Sequence, residues 1–287
     1  MMENKLMIDA YAKINLTLDV TGRLPNGYHT VEMIMQSVKL CDRVTLKTDD
    51  SGLVRMVCDR TDLSAGEDNL AVRAARLFLS TCDREDVGVA IELEKNIPMQ
   101  AGMAGGSTDA AAVLTGLNRL LDQGLSVQEL CEMGLKLGAD VPYCIRGGTM
   151  LAEGIGEVLT PVAKMPPCPV VVCKPPVGVP TPEIYRAIDA VPIVSHPQTE
   201  RMLAALRSRD LEQIGTLLCN VMEPVTAERH PVIYEIKRTM LAHGALGALM
   251  SGSGSAVFGL FRSRGEAKKA YDILSQQFSE TFLTETV

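Results

Sequence analysis

Residues 98–122 read PMQAGMAGGSTDAAAVLTGLNRLLD, a glycine cluster running straight into a helix, and this junction decides the fold. The small residues let a backbone approach a ligand closely. The following helix carries Ala110, Ala111, Leu114, Leu117 and Leu121 among its apolar residues. It aims unpaired N–H groups and the positive end of its dipole back at the loop, which is how proteins hold phosphates. No GK[ST] follows, so the loop is not a Walker A loop, and the G-x-G-x-x-G register is absent. On local pattern alone, a phosphate loop and a tight helix-start turn both stay open.

Upstream, Leu6, Ile8, Ala10 and Ala12 alternate as the inward positions of a strand do, and Val38 to Leu46 alternates again, so an early β-layer is predicted. Between them Arg23-Leu24-Pro25-Asn26-Gly27-Tyr28-His29 is a polar reversal marked by Pro and Asn-Gly, expected at a surface. Residues 69–81 have helical spacing and 87–94 (VGVAIELE) return to strand alternation. Downstream, Ser126 to Glu129 has the form of a capping box, and its helix is expected to end near Gly138, ahead of Asp140-Val141-Pro142. A Pro-rich stretch from Thr160 to Pro167 reads as a boundary or covering loop, followed by a buried strand at 169–173. Thr181-Pro182-Glu183 has the N-cap, N1 proline and early acid of a helix start. Helical patterns continue through 199–207, 210–219 and 228–243, then a strand at 256–261 and a helix from about Gly265.

Composition bounds the function. In 287 residues with 46% apolar and 22% charged side chains there is ample material for a core. The net charge of −7 gives no basic footprint, so no nucleic-acid partner is expected. Eight cysteines without a CxxC pair, scattered among apolar neighbours, fit reduced, buried thiols in a cytoplasmic protein. No stretch approaches the roughly 20 apolar residues of a membrane span, and the opening MMENKLMIDAYAK has no apolar signal-peptide core, so no membrane association is expected.

Two further segments bear on the glycine loop. Ala12-Lys13-Ile14-Asn15-Leu16 sets a lysine and an asparagine on an otherwise apolar strand. Met250-Ser251-Gly252-Ser253-Gly254-Ser255-Ala256 is a second glycine/serine loop, able to press against the first and close over a ligand. AKINL with GYH downstream, P-x-x-x-G-M-A-G-G-S-T-D-A-A, GADVP and SGSGSA resemble, in that order, the motifs of the galactokinase, homoserine kinase, mevalonate kinase and phosphomevalonate kinase superfamily, the GHMP kinases. The resemblance covers about residues 8–262.

The resemblance implies a two-domain α+β fold: a ribosomal-protein-like α+β N-terminal domain over 1–158 with the ATP loop, and an α/β C-terminal domain over 159–287. It implies transfer of the γ-phosphoryl group of ATP to a hydroxyl, with Mg²⁺ as cofactor. AKINL…GYH together with GADVPYCIRGGTMLAEGIGE points to the subfamily whose small-molecule substrate is a cytidine-diphosphate-linked methylerythritol. The chain would act as a monomer or homodimer. By the same resemblance ATP is held by Pro98, Met99, Gln100, Ala101, Gly102, Met103, Ala104, Gly105, Gly106, Ser107 and Thr108. Asp140 is the catalytic base, and Lys13 pairs with it and stabilises charge near the γ-phosphoryl group. The cytosine lies between Tyr28 and Tyr185, His29 bonds its edge, and Asn15 contacts the substrate near the transferred group.

The phosphate loop departs from the subfamily's usual G-L-G-G-G-S-S. Met103 keeps apolar bulk and Thr108 a hydroxyl, but Ala104 replaces a glycine and requires φ below zero or tolerated strain. His196, His230 and His243 have no partner at metal spacing and read as structural or surface residues. The competing readings are a superfamily member acting on mevalonate or homoserine, against which GYH argues, and a non-catalytic sensor, which a missing Lys or Asp would favour.

Overall fold

The computed structural model describes residues 5–287. Its strands and helices in chain order are β1 (Lys5–Arg23), β2 (His29–Asp49), β3 (Val54–Cys58), α1 (Leu70–Thr81), β4 (Gly88–Glu94), α2 (Gly105–Leu120), α3 (Val127–Leu135), α4 (Val141–Arg146), β5 (Thr149–Glu153) and β6 (Val158–Pro161). There follow β7 (Pro169–Lys174), α5 (Thr181–Ile188), α6 (Thr199–Ser208), α7 (Leu211–Thr216), β8 (Cys219–Asn220), α8 (Glu223–Arg229), α9 (Val232–Ala242), β9 (Ala245–Met250), β10 (Val257–Phe261), α10 (Arg264–Leu274) and β11 (Glu280–Glu285). The mixed α+β class expected from the sequence is what the chain adopts.

These elements form two compact units, and β1 and β2 are long enough to contribute residues to each. The first unit holds the described residues through Ala12 together with Cys41–Ile97 and Ala104–Gly147. In it the second half of β2 pairs antiparallel with β4, from Arg43 opposite Glu94 to Asp49 opposite Gly88, and β3 joins β4 in parallel. The alternation read at 87–94 puts Val89, Ile91 and Leu93 into a core with Phe78 and Leu79 of α1 and Val113, Leu114 and Leu117 of α2. The helix lies close to the sheet because Ala110, Ala111 and Gly116 keep its surface low. A Cβ on Gly116 would come within 2.5 Å of both Ile8 and Leu46 side chains. Asn69 caps α1 by accepting from the Ala71 N–H, and Ser126 with Glu129 forms the capping box foreseen for α3.

The second unit holds Lys13–Leu40, Pro98–Met103 and Gly148–Val287. Here β1 pairs in parallel with the two-residue β8, and the first part of β2 pairs antiparallel with β5, which carries β6. A separate antiparallel sheet runs β11-β7-β10-β9. Its middle strand β7 is the apolar run PVVVCK and is buried over Val170 to Lys174, as a strand covered on both faces must be. Ile233, Ile236 and Met240 of α9 and Ala267, Ala270 and Leu274 of α10 are buried. All eight cysteines are free thiols. No helix among the described residues is long and apolar enough to cross a membrane.

Two expected helices are cut short. The pattern over 228–243 is two helices, because Pro231 has no N–H to continue α8; the chain turns at His230 and restarts as α9. The pattern over 210–219 stops at Thr216, and Cys219 and Asn220 are drawn out to pair with Thr17 and Leu18.

Candidate active site

Lys13 is carried on β1 and is 5% exposed, and a buried ammonium needs acceptors. Its Nζ donates to Asn15 Oδ1 at 2.5 Å, on the same face of the strand two residues on. Asn15 is fully buried, and its Oδ1 also accepts from the Gly252 N–H (3.0 Å), while its Nδ2 donates to Met33 Sδ. The lysine is thereby tied to the second glycine/serine loop. The Lys13 N–H in turn donates to Met103 O (3.2 Å), which joins the same strand to the first loop.

The two loops meet within the second unit, as the sequence suggested. Ser251 Oγ donates to Gly102 O at 2.9 Å, and the Ala256 N–H to Ala101 O. Gly102, at φ 72°, has no room for a side chain: its Cβ would lie 2.0 Å from Ser251 O. The 251–255 loop is braced from behind by residues that the sequence did not single out. Asn220 Nδ2 donates to the carbonyls of Met250 and Gly252, each at 2.8 Å, Glu223 Oε2 accepts from the Met250 N–H, and Thr226 Oγ1 donates to Ser253 O.

Ala104 takes up the strain that its replacement of glycine made possible. It caps α2 from the left-handed region, at φ 59° and ψ 28°. Gly105 and Gly106 open the helix, and Ser107 stands in its first turn. Thr108 is buried, its hydroxyl donating to Tyr11 O at 2.9 Å, so it anchors α2 to β1 within the first unit. Pro98 and Met99 lead into the loop, and Gln100 is exposed at φ 50°. Asp140 stands at the N-terminal end of α4, and its carboxylate does not cap that helix. Among the described residues no group of three or more His, Cys, Asp or Glu side chains is arranged to hold a metal ion.

The aromatic candidates gather in the second unit. His29 stacks on Tyr185 of α5, centroids 4.7 Å apart and planes 19° from parallel, whereas Tyr28 is 60% exposed. The reversal at 24–28 is closed by the Leu24 N–H donating to Tyr28 O and the Gly27 N–H donating to Leu24 O, with Gly27 at φ 88°. His29 Nε2 and Asp189 Oδ1 lie 2.7 Å apart, and Arg23 sits 3.3 Å from the other oxygen of that carboxylate. The hydrogen bond to His29, then the nearby charges, hold the Asp189 carboxyl below its usual range. An ionised carboxylate only accepts, so Nε2 of His29 is the donor and a neutral ring keeps Nδ1 as acceptor. An open pocket of about 380 Å³ lies here, lined by Arg23, His29, Ile188, Asp189 and His196 among others. His196, read as structural or surface, faces this pocket with Nδ1 2.9 Å from the Asp19 carboxylate. Thr181, the first residue of α5, shares a 2.8 Å hydrogen bond with Ser253, so the helix carrying Tyr185 is fastened to the second glycine/serine loop. Asp189 carries no motif of its own; Thr181 was legible as the N-cap of a helix start, but the structure puts Pro180 at that position and makes Thr181 the first helical residue.

Two glycine loops closed on one another beside a buried strand lysine define a class. Residues 69–148 match the GHMP kinases N terminal domain and residues 202–280 the GHMP kinases C terminal, and the chain belongs to the GHMP kinases. Within that family it is 47% identical, over 93% of this chain and 91% of the other, to 4-diphosphocytidyl-2-C-methyl-D-erythritol kinase of Lachnoclostridium phytofermentans. It is 43% identical to the enzyme of the same name from Alkaliphilus metalliredigens, over 98% and 97% of the two chains. A crystal structure of 4-(cytidine 5'-diphospho)-2C-methyl-D-erythritol kinase superposes with a TM-score of 0.82 at 34% identity, covering 98% of this chain and 99% of that one. Homoserine kinase from Cytophaga hutchinsonii shares the fold, with a TM-score of 0.79 at 21% identity and coverage of 100% and 96%.

Proposed function

We infer that this chain is a kinase that moves the γ-phosphoryl group of ATP to the 2-hydroxyl of 4-diphosphocytidyl-2-C-methyl-D-erythritol, in the non-mevalonate route to isoprenoid precursors. The geometric observation that carries the substrate choice is the Tyr185–His29 stack on a helix fastened to the second glycine/serine loop. A kinase for mevalonate or homoserine has no base to stack. Full-length likeness to enzymes of that name, with both Lys13 and Asp140 present, disfavours a non-catalytic sensor.

Phosphoryl transfer asks a protein for positioning and charge stabilisation rather than covalent help. The 98–108 loop and the start of α2 cradle the phosphates with backbone N–H groups. Asp140 takes the proton of the attacking 2-hydroxyl; the oxygen bonds to the γ-phosphorus, the bond to the β-phosphate oxygen breaks, and ADP leaves. Lys13, held by Asn15, places its charge toward the transferring group, and Asn15 acts there with it. The cytosine stacks with Tyr28 and Tyr185, and Nδ1 of His29 accepts from its amino edge. Ser107, in the first turn of α2, would offer its hydroxyl to a Mg²⁺ held mainly by the bound nucleotide. When bound, the cation neutralises phosphate charge. Free thiols and the absence of a membrane-crossing helix among the described residues support a cytoplasmic location.

The test is Mg²⁺-dependent ADP release with 4-diphosphocytidyl-2-C-methyl-D-erythritol beside mevalonate and homoserine. Turnover with the cytidylyl compound alone is expected. Turnover with only a control would overturn the substrate, and none with any would restore the sensor.

A further inference from the structure

Directly upstream of the loop, Lys95 is nearly buried, with its side chain 4% exposed, between two carboxylates that are also shut away from water. Its Nζ bonds Asp42 of β2 and, at 2.8 Å, Asp109 Oδ2 in the second turn of α2. Asp42 does more than pair. Its Oδ1 accepts from the backbone N–H groups of Asn96 (2.6 Å) and Ile97 (2.7 Å), the last residues before the loop. Gly105, the first residue of α2, lies against the same ammonium: a Cβ there would be 3.3 Å from Lys95 Nζ and 3.2 Å from Ile97. One buried cluster therefore holds the chain where it leaves for the loop and where it returns as helix.

A buried ion cluster is weak evidence for stability, since well-packed apolar side chains serve as well or better. This one is also incomplete. Two carboxylates share one ammonium, and Asp109 Oδ1 has no hydrogen-bond partner. An imperfect cluster set across both ends of a ligand loop is explained by what it positions.

We propose that Lys95, bracketed by Asp42 and Asp109, is a positioning residue for phosphoryl transfer that holds residues 96–97 beside the N-terminus of α2, so that the helix's first N–H groups are aimed at the ATP phosphates. This rests on the reading that residues 98–108 hold ATP. The charged groups facing Asp109 are Lys95 and Asp42, and Asp59 accepts from the Lys95 N–H on the other side. Burial raises the Asp109 carboxyl to about 7 against the pull of Lys95. Its ionisation above neutrality adds a negative charge near the end of the helix that receives phosphates, and weakens ATP binding there.

The experiment measures kcat and KM for each substrate from pH 6 to 8.5 in the wild-type chain, Lys95→Met, Lys95→Arg, Asp109→Asn and Gly106→Val. Lys95→Met is expected to raise KM for ATP at least tenfold with KM for the cytidylyl substrate unchanged, and Lys95→Arg to restore part of it. In the wild type KM for ATP is expected to rise several-fold above pH 7 and in Asp109→Asn to lose that inflection, the nucleotide's own titration being common to both. A folded Lys95→Met with wild-type KM for ATP overturns the proposal. Should Lys95→Met not fold, an unchanged inflection in Asp109→Asn overturns it. Gly106→Val tests the loop itself: if it leaves nucleotide binding intact the loop reading fails, whereas loss there beside a normal Lys95→Met sinks the positioning role alone.

Discussion

Asp140 and Ala104 show how much a single residue carries. A carboxylate at the start of a short helix ordinarily caps it, yet Asp140 makes no side-chain cap bond to α4. If it is the base, Asp140→Asn removes proton acceptance and leaves shape unchanged. We expect kcat to fall by about 10²–10⁴ with ADP binding, measured by calorimetry, within about threefold of wild type. Retained turnover would return Asp140 to a structural role. Ala104 spends conformational energy on its left-handed backbone, on the order of 1 kcal/mol. Ala104→Gly removes that strain and adds chain entropy to the unfolded state, so denaturant titration should find it neutral or stabilising by up to about 1 kcal/mol. Ala104→Val, β-branched at the same φ, should be clearly destabilising, and a Val variant as stable as wild type would contradict the strain. The sequence foretold the alternative at Ala104 but not its outcome, because φ is set by where α2 must begin. Lys95 and Asp42 escaped notice for the opposite reason: each looks like a solvated charge until the fold buries it.

At the scale of elements, what the sequence showed clearly was periodic. α1, β4 and α10 fall within a residue or two of their predicted bounds because each buries one face with a regular spacing, β7 because it is an unbroken apolar run, and the start of α3 because its capping box marks it. Short partners such as β8, β5 and β6 have too few residues to display a period and exist because a neighbour offers a free edge. The loop pair lies between these cases. Glycines at 102 and 252 were legible as close-approach residues in loops able to meet, but which backbone atoms they bring together comes only from tertiary structure. Gly102→Ala should push a methyl into the Ser251 carbonyl and separate the loops. We expect a loss of at least about 2 kcal/mol of stability, given strain at φ 72° and the steric clash together, and a larger loss of turnover than Tm alone would suggest. A Gly102→Ala variant with full activity would mean that the loops need not touch for catalysis.

For the molecule as a whole, the sequence yields the class and the order of the motifs, while burial decides which charges matter to stability. The largest consequence is at Asp109. Its ordinary value of 3.8 is raised to about 7 in the folded chain, by burial first and with Lys95 opposing. A carboxyl raised on folding binds its proton more tightly in the native state, so its stabilising share is fully present below about 4. It is then lost as pH climbs toward 7. Above that the native chain must keep a charge in a dry site, at a cost of up to about 4 kcal/mol at one pH unit per 1.36 kcal/mol. Surface carboxylates work the other way over a lower range: Glu92 and Asp189 are lowered by hydrogen bonds to Lys47 and His29, and what they contribute is lost as the pH falls through the acid range. Between pH 5.5 and 8.5 the buried group should dominate. Urea unfolding of the wild type is therefore expected to show stability declining from pH 5.5 to about 7 and levelling above it, and Asp109→Asn, which cannot ionise and still offers Lys95 an oxygen, should show a flatter dependence. Parallel slopes in the two proteins would mean that Lys95 compensates Asp109 fully, and that the carboxylate is ionised throughout the neutral range.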